Sequence, residues 1–227
     1  MASPYPAPDL VTVALVTRVL LLGATGLVGR STLPLLLDDD RCEEVVTLTR
    51  RPPGAEHPKL CARVVDFEDL PTASEVWTVD AVISVLGTTR KQAGSAGAFR
   101  RVDYGYPMAV AERARTHGAS TMVVTSAKGA DPSSRLLYPQ VKGEIERDLG
   151  RLSWESLTIV RPNIIGGERD ESRPAEALGL KVAGLLGPVL PRALRISPAE
   201  AITDALVEAA LAPRPGTHLV DSAALLA

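Results

Sequence analysis

The sequence predicts an α/β fold with a doubly wound parallel sheet, and three observations lead to this prediction. Short apolar runs alternate with longer stretches of helical period along most of the chain after residue 16. The apolar runs contain few polar residues, which is typical of strands buried on both faces of a parallel sheet. The first of these runs also leads directly into a glycine-rich turn, GATGLVGR (23–30).

Six apolar runs are interpreted as strands. In chain order they are RVLLLG (18–23), EVVTLT (44–49), ARVVDF (62–67), DAVISVLG (80–87), STMVVTS (120–126) and SLTIVRP (156–162). Helices are expected between them, near 27–37, 99–117 and 139–152. Pro34 falls inside the first helix and is expected to kink it or shorten it after Arg30, because proline lacks the N–H that the helix ladder needs.

Residues 163–227 are expected to form a short C-terminal substrate-binding region within the same domain, which spans 17–227. This region contains a predicted helix near 175–186 and a second helix capped by Ser197, with Pro198 and Glu200 following. Its leucines favour a small apolar substrate, and core packing explains them equally well.

Composition argues against several classes of function. The chain has 227 residues, 45% of them hydrophobic, enough for one sizeable core. The net charge is −2 with interleaved signs, so neither a nucleic acid nor a membrane surface is an expected partner. Two separated cysteines and three scattered histidines predict no disulfide framework and no metal site.

Residues 1–16 are interpreted as a loose N-terminal leader. They do not have the pattern of a signal peptide, and the apolar segment that ends them is shorter than the roughly twenty residues of a spanning helix. A cytoplasmic location is therefore predicted, and both a monomer and a homodimer are compatible with the sequence.

The glycine turn predicts a dinucleotide site. In the Rossmann pattern the first glycine makes the tight turn, the second lets the backbone approach a pyrophosphate, and the third lets the helix pack on the strand. The helix that follows offers free N–H groups to the phosphates. The expected cofactor-binding residues here are Gly23, Thr25, Gly26, Leu27, Val28 and Gly29; a plain strand-to-helix turn is the alternative.

The end of the second predicted strand favours NADP over NAD. An NAD site has a carboxylate there, about twenty residues after the glycines, whereas this chain has Arg50 and Arg51. Guanidinium groups suit a ribose 2′-phosphate, although two solvated loop arginines would look the same. Asp66 and Phe67 end the third strand, where the carboxylate fits either the adenine amino group or a helix cap. Leu86, Gly87 and Thr88 end the fourth strand and are expected to flank the cofactor.

Tyr138 and Lys142 lie four residues apart in the segment YPQVK. A helix places both side chains on one face, where an ammonium group can stabilise a phenolate. The spacing alone also fits a solvated helix edge.

The motifs occur in a recognisable order. GATGLVGR, TRR, LGTTR, VVTSAKGAD, YPQVKGEIE and VRPNIIGGERDESRP together span nearly all of the chain after residue 17. In this order they resemble the short-chain dehydrogenase/reductase superfamily and, within it, the atypical branch of HIV Tat-interacting-protein-like NAD(P)-binding oxidoreductases. The strings LGTTR, SAKGAD and QVKGE are specific to that branch, whereas the glycine motif is shared more widely.

The resemblance implies a catalytic set of Ser126, Tyr138 and Lys142. In the family the serine orients the substrate carbonyl, the tyrosine is the general acid or base, and the lysine holds the nicotinamide ribose while lowering the pKa of the tyrosine. The residue types agree, because a phenol with a pKa of about 10 needs a nearby cation to act as a base at neutral pH. The resemblance also implies that Arg161 and Pro162 pass the nicotinamide and that the backbone from Asn163 to Ile165, with Ile164 at its centre, contacts the carboxamide.

Two positions depart from the family pattern. Pro139 biases Tyr138 away from helical geometry, so the proline is expected at the first helical position. The relay asparagine of many relatives is not evident, and Asp103 in RVDYGYP lies in its neighbourhood.

The leading hypothesis is an NADPH-dependent oxidoreductase that reduces a small, apolar carbonyl or activated double bond, with Tyr138 supplying the proton. The alternative is a non-catalytic regulator or protein-interaction module that binds NADPH without turnover. The chain keeps both the tyrosine and the lysine, which favours the enzyme.

Overall fold

The structure is a computed structural model and describes residues 17–163 and 197–226. Within these ranges the chain forms one seven-stranded sheet in which all neighbouring strands are parallel. The strands are Thr17–Leu22 (β1), Cys42–Thr49 (β2), Leu60–Val64 (β3), Ala81–Ser84 (β4), Thr121–Thr125 (β5), Ser156–Arg161 (β6) and Gly216–Asp221 (β7). The expected leader (1–16), the expected helix near 175–186 and Ile164 lie outside the described residues.

The strand order is β3-β2-β1-β4-β5-β6-β7, which confirms the predicted doubly wound α/β sheet. The chain runs outward in one direction from β1 to β3 and in the other from β4 onward. Sequence analysis missed β7, which pairs with β6 at the outer edge and exposes most of its side chains. An edge strand of this kind has no continuous apolar run, so hydrophobic periodicity does not reveal it.

Six α-helices accompany the strands within the described ranges. They are Leu27–Asp38 (α1), Arg90–Ala93 (α2), Ala96–Arg100 (α3), Tyr106–Thr116 (α4), Leu137–Leu149 (α5) and Ala199–Leu211 (α6). None of these six is long and apolar enough to cross a lipid bilayer.

The single helix expected over 99–117 is in fact interrupted. A π-helical segment, Arg101–Gly105, joins α3 to α4. Pro107 has no N–H to donate to the carbonyl of Asp103, and the N–H of Tyr106 donates to the Arg101 carbonyl five residues back. The wider turn places Asp103 on the buried side of the segment.

The sheet has an apolar layer on each face, as expected for a doubly wound fold. Alternate residues of β1 supply the two layers. Leu20 and Leu22 pack with the layer that contains α4 and α5, while Val19 and Leu21 pack with the layer that contains α1 and α6. Trp77, one of the largest side chains, is fully buried in the α4–α5 layer.

The expected shortening of the first helix after Arg30 is wrong. Helix α1 continues without a break from Leu27 to Asp38, with Pro34 inside it. Pro34 is exposed, so the position that lacks an N–H lies on the outer side of the helix, away from the core.

The expected helix cap at Ser197 is also wrong. Helix α6 begins at Ala199, its N-cap residue is Pro198, and no side chain caps it. The buried Ser197 hydroxyl instead accepts a hydrogen bond from the N–H of Asn163, at 3.1 Å. Ser197 therefore ties the start of α6 to the segment that follows β6.

Two of the three glycines in the first turn are required by close backbone contacts. Gly23 has a φ of +95°, and a Cβ added there would lie 2.8 Å from Leu86 N. A Cβ on Gly29 would lie only 2.1 Å from the carbonyl oxygen of Gly23. A Cβ on Gly26 meets nothing closer than that same oxygen, at 3.3 Å. The first and third glycines therefore hold the fold, whereas Gly26 leaves space at the surface.

We expect Gly29→Ala to lower the free energy of unfolding by about 1–3 kcal/mol, because the start of α1 must move away from the turn. Gly26→Ala is the matched control and should cost less than about 1 kcal/mol, since its new methyl group needs only a small adjustment. Urea unfolding of both variants measures the difference. Equal losses in the two variants would contradict this account of the turn.

Candidate functional site

The candidate site lies at the carboxyl end of the sheet, where β1 and β4 are neighbours. The backbones that follow these two strands are in contact: the N–H of Val85 donates to the carbonyl of Leu22 over 2.9 Å, and Gly23 lies against Leu86. Open α/β sheets bind ligands in the crevice at such a switch point. Residues 86–88 leave β4 beside this crevice.

The start of α1 is open toward the crevice. Its N-cap residue is Gly26, no side chain caps the helix, and its first turn contains no acidic residue. Thr25 and Gly26 are exposed, whereas Val28 and Gly29 are buried beneath the turn. The first N–H groups of a helix carry a partial positive charge, so this end of α1 suits a phosphate group.

Arg50 and Arg51 directly follow β2, and both are exposed. Neither guanidinium forms an ion pair with a residue in the described ranges. The end of β2 therefore presents two uncompensated positive charges in the position where an NAD site has a carboxylate.

The third strand ends earlier than expected, at Val64, so Asp66 and Phe67 lie in the turn beyond it. No helix begins there, and Asp66 Oδ1 accepts from the N–H of Glu68 at 2.9 Å, so the carboxylate caps a turn rather than a helix. Phe67 is buried and stacks on Tyr106 with ring centroids 5.1 Å apart. Burial, together with the hydrogen bond that its hydroxyl donates to Glu68, raises the pKa of Tyr106.

Asp103 lies at the centre of the site. Its carboxylate forms an ion pair with Lys142, with 2.9 Å between Oδ1 and Nζ, and accepts the N–H of Thr88 at Oδ2 over 2.8 Å. Gly87 lies directly above the pair: a Cβ there would be 3.4 Å from Asp103 Oδ1 and 3.9 Å from Lys142 Nζ. The structure thus brings the turn after β4, the π-helical segment and α5 together at one buried ion pair.

In the sequence, Asp103 drew attention only because it lies near the position where many relatives have the relay asparagine. A usable signal was present, because Asp103 lies four residues after Phe99 and seven before Val110, and both of those side chains are buried. An acidic residue on the apolar face of a helix needs a buried partner. The helical spacing of Asp103 from these two buried residues, rather than a sequence motif, identifies Asp103 as a buried charged residue.

Tyr138 and Lys142 lie one turn apart on α5. Helix α5 begins at Leu137, so Pro139 is its third residue rather than its first; proline fits there because first-turn N–H groups need no partner within the helix. Tyr138 is 47% exposed, and its ring packs against Phe99 with centroids 6.1 Å apart. Lys142 is buried, so the alternative of a solvated helix edge is wrong for the lysine.

Ser126 directly follows β5 and is buried. Its N–H donates to the carbonyl of Val160 over 2.8 Å, which fixes the residue between β5 and β6. Its hydroxyl has no hydrogen-bond partner within the described residues. A buried hydroxyl without a partner is costly, and a substrate oxygen is a group that would satisfy it.

The loop after Ser126 is held against α5. The N–H of Asp131 donates to the carbonyl of Pro139 over 3.0 Å. A Cβ on Gly143 would lie 2.2 Å from Pro132 N, so only glycine permits this contact. Hydrogen bonds from Ser133 lower the pKa of Asp131 and fix the loop further. Sequence analysis missed Gly143, whose role depends on a contact distant in sequence.

The Arg161 side chain forms an ion pair within the protein. Its guanidinium pairs with the carboxylate of Glu146 on α5 through two contacts, of 2.9 and 2.5 Å, and this hydrogen bonding raises the pKa of Arg161. Pro162 is buried, and its carbonyl accepts the N–H of Lys128 over 3.0 Å. The Arg161 side chain therefore connects the end of β6 to α5. Because its guanidinium is paired with Glu146, only the backbone of Arg161 is available to contact a ligand.

The described residues contain no cluster of histidine, cysteine and acidic side chains that suits a metal ion. A groove of about 460 Å³ lies at the carboxyl ends of β6 and β7, where Gly129, Arg161, Leu219 and Asp221 are among its lining residues.

The chain is similar to one protein family and to individual proteins over much of its length. Residues 19–147 match the NAD dependent epimerase/dehydratase family. The mitochondrial protein fmp52 of Aspergillus fumigatus is 37% identical over 179 residues, which is 76% of each chain. Protein HTATIP2 of Rattus norvegicus is 37% identical over 172 residues, covering 74% of this chain and 71% of that protein.

Solved structures of low sequence identity share the fold. MoeE5 in complex with UDP-glucuronic acid and NAD superposes with a TM-score of 0.68 at 17% identity, covering 90% of this chain and 75% of that one. A short chain dehydrogenase family protein from Francisella tularensis gives 0.62 at 13% identity, over 93% of this chain and 100% of that one.

The relatives overturn the predicted location. Fmp52 proteins of Aspergillus fumigatus, at 37% identity, and of Candida albicans, at 36%, are named as mitochondrial proteins. The expectation of a cytoplasmic protein is therefore wrong. It relied on N-terminal residues, whose composition is a weak indicator of compartment.

The family match covers more than half of the chain, and two groups of curated relatives match about three quarters of it. The chain therefore belongs to the NAD dependent epimerase/dehydratase family, among the atypical short-chain dehydrogenases/reductases that include Fmp52 and HTATIP2.

Proposed function

We propose that the protein is an NADPH-dependent oxidoreductase that reduces a small, apolar carbonyl or activated double bond, with Tyr138 as the proton donor. One observation carries the proposal. The buried ammonium of Lys142 lies close to Gly87, and Leu86 of the same turn contacts Gly23. The glycine turn and the face of α5 that carries Tyr138 and Lys142 therefore meet at one crevice.

The residues present fit a bound dinucleotide. The uncapped start of α1 and the space above Gly26 suit its pyrophosphate. Arg50 and Arg51 suit a 2′-phosphate on the adenine ribose, and Lys142 would hold the hydroxyls of the nicotinamide ribose. When bound, NADPH supplies the hydride for the reduction.

The chain's own residues would orient the substrate and move the proton. The Ser126 hydroxyl, which lacks a partner in the described residues, would donate a hydrogen bond to the substrate carbonyl oxygen. Tyr138, half exposed at the start of α5, would donate its phenolic proton to the same oxygen as negative charge develops there.

The side chains at the start of α5 support an apolar substrate. Leu136 is 69% exposed and Tyr138 is 47% exposed, and both belong to the segment that enters the helix. Large exposed apolar side chains next to the proposed proton donor favour contact with an apolar ligand. The groove beyond the Ser126 loop offers further room for a small molecule.

A second candidate is a regulator that binds NADPH without turnover. It is favoured by the arrangement of the three predicted catalytic residues. Lys142 is already paired with Asp103, and Ser126 forms no hydrogen bond to Tyr138 within the described residues. NADPH oxidation measured against a panel of aldehydes, ketones and quinones separates the two: a substrate-dependent rate supports the enzyme, and its absence across the panel supports the regulator.

The double substitution Arg50→Ala with Arg51→Ala should weaken NADPH binding about 10- to 100-fold, because charge-assisted hydrogen bonds to the 2′-phosphate are lost. NADH lacks that phosphate, so its affinity should change little. Titration with each cofactor gives both numbers, and Arg214→Ala, in an exposed position before β7, is the control. Comparable losses for both cofactors would remove the NADP assignment.

Gly26→Val should abolish cofactor binding while leaving the chain folded, because a branched side chain occupies the approach of the pyrophosphate. The readout is a cofactor titration combined with the urea midpoint of the variant. Gly150→Val, where a Cβ meets nothing within 4 Å, is the matched control and should bind normally. Normal NADPH binding by Gly26→Val would show that the turn is only structural.

Tyr138→Phe keeps the ring that packs on Phe99 and removes the proton, so NADPH affinity should change little. Turnover of an identified substrate should fall about 10²- to 10⁴-fold, the effect of one positioned general acid. Tyr104→Phe, which removes a hydroxyl bonded to Asp148, is the control and should retain its rate. Lys142→Ala should lower both cofactor affinity and rate.

Wild-type turnover by Tyr138→Phe, under conditions where chemistry limits the rate, would end the catalytic assignment. The regulator predicts a different pattern, in which only the lysine variant changes a measurable quantity, its NADPH affinity.

A further inference from the structure

The ion pair between Asp103 and Lys142 is almost completely removed from solvent. The two side chains are 1% and 7% exposed, respectively. Asp103 Oδ1 lies 2.9 Å from the ammonium nitrogen, which is an ion-pair contact, and Oδ2 accepts a hydrogen bond from the N–H of Thr88. Neither charge tolerates burial alone, because an isolated ion pays a large desolvation cost.

Stability alone does not explain such a pair. Replacing a buried ion pair with apolar side chains of similar size is often neutral or favourable to folding. What the pair does provide is a fixed place for the ammonium. Asp103 is held by the π-helical segment, and Thr88 binds the same carboxylate from the turn after β4.

The other charged side chains near Lys142 have partners of their own. Glu144 pairs with Arg100, Glu146 with Arg161, and Asp148 with Arg147 and Arg151, while Arg101 of the π-helical segment lies 3.6 Å from Glu68. Among the described residues, Asp103 is thus the carboxylate that compensates the Lys142 ammonium.

The position of Asp103 connects it to the cofactor crevice. The turn formed by Leu86, Gly87 and Thr88 touches Gly23 at one end and the ion pair at the other. The carboxylate of Asp103 therefore holds the Lys142 ammonium next to the turn that the dinucleotide would pass.

We propose that Asp103 is the positioning residue of Lys142: it holds the ammonium next to Gly87 before the dinucleotide binds. The inference rests on the proposed function, in which Lys142 holds the nicotinamide ribose. Asp103 acts through the lysine and need not touch cofactor or substrate.

The test is a double-substitution cycle with NADPH affinity as its readout. Asp103→Asn retains an oxygen for the N–H of Thr88 and removes the charge that holds Lys142. It should weaken NADPH binding by about tenfold or more, comparable to the loss of one charge-assisted hydrogen bond. In a Lys142→Met background the same Asp103→Asn change should have no further effect, because the group through which Asp103 acts is gone.

Thermal unfolding of the same four proteins provides an independent readout. Each single substitution should lower the unfolding midpoint, because one buried charge loses its partner, and the double substitution should recover much of the loss.

The control for the affinity measurement is Asp148→Asn, which changes a carboxylate elsewhere on α5 and should leave NADPH affinity unchanged.

An equal loss of NADPH affinity from Asp103→Asn in both backgrounds would overturn the inference, since it would show an effect independent of Lys142. Unchanged affinity in Asp103→Asn would overturn it as well. A wild-type protein that does not bind NADPH would overturn the proposed function itself and the inference with it, and this result is distinct from the other two.

Discussion

The close approach of two backbones at Gly23 is the constraint on which the site depends. Any side chain at this position would collide with Leu86 and Val85, so β1 and β4 would not reach the same crevice. Gly29 then allows α1 to start directly on the carbonyl of Gly23. The contacts that close the switch point of the sheet therefore also place an uncapped helix start beside it.

Helix α5 is fastened on several sides, and this fixes the face that carries Tyr138 and Lys142. Gly143 packs on Pro132 of the loop after β5, Glu146 binds Arg161 at the end of β6, and Lys142 binds Asp103. Each contact reaches a different element. A site assembled in this way changes little when one contact is perturbed at the surface, and it responds strongly when a buried charge loses its partner.

The parts predictable from sequence were those with local signals. Six of the strands and the glycine turn followed from apolar runs and short spacings, and the structure contains both. The parts that sequence missed depend on distant contacts: the edge strand β7, the glycine required at 143, and the pairing of Asp103 with Lys142. Helix α1 extends past Pro34 because an exposed helix face tolerates a missing N–H, and Ser197 does not cap α6 because its hydroxyl binds Asn163 instead.

We propose above that the crevice at Gly23 binds NADPH in preference to NADH. Calorimetric titration of the wild-type protein with each cofactor tests it most directly. We expect saturable binding of one NADPH per chain and clearly weaker binding of NADH, because only NADPH offers a 2′-phosphate to Arg50 and Arg51. Tighter binding of NADH, or no binding of either cofactor, would contradict it.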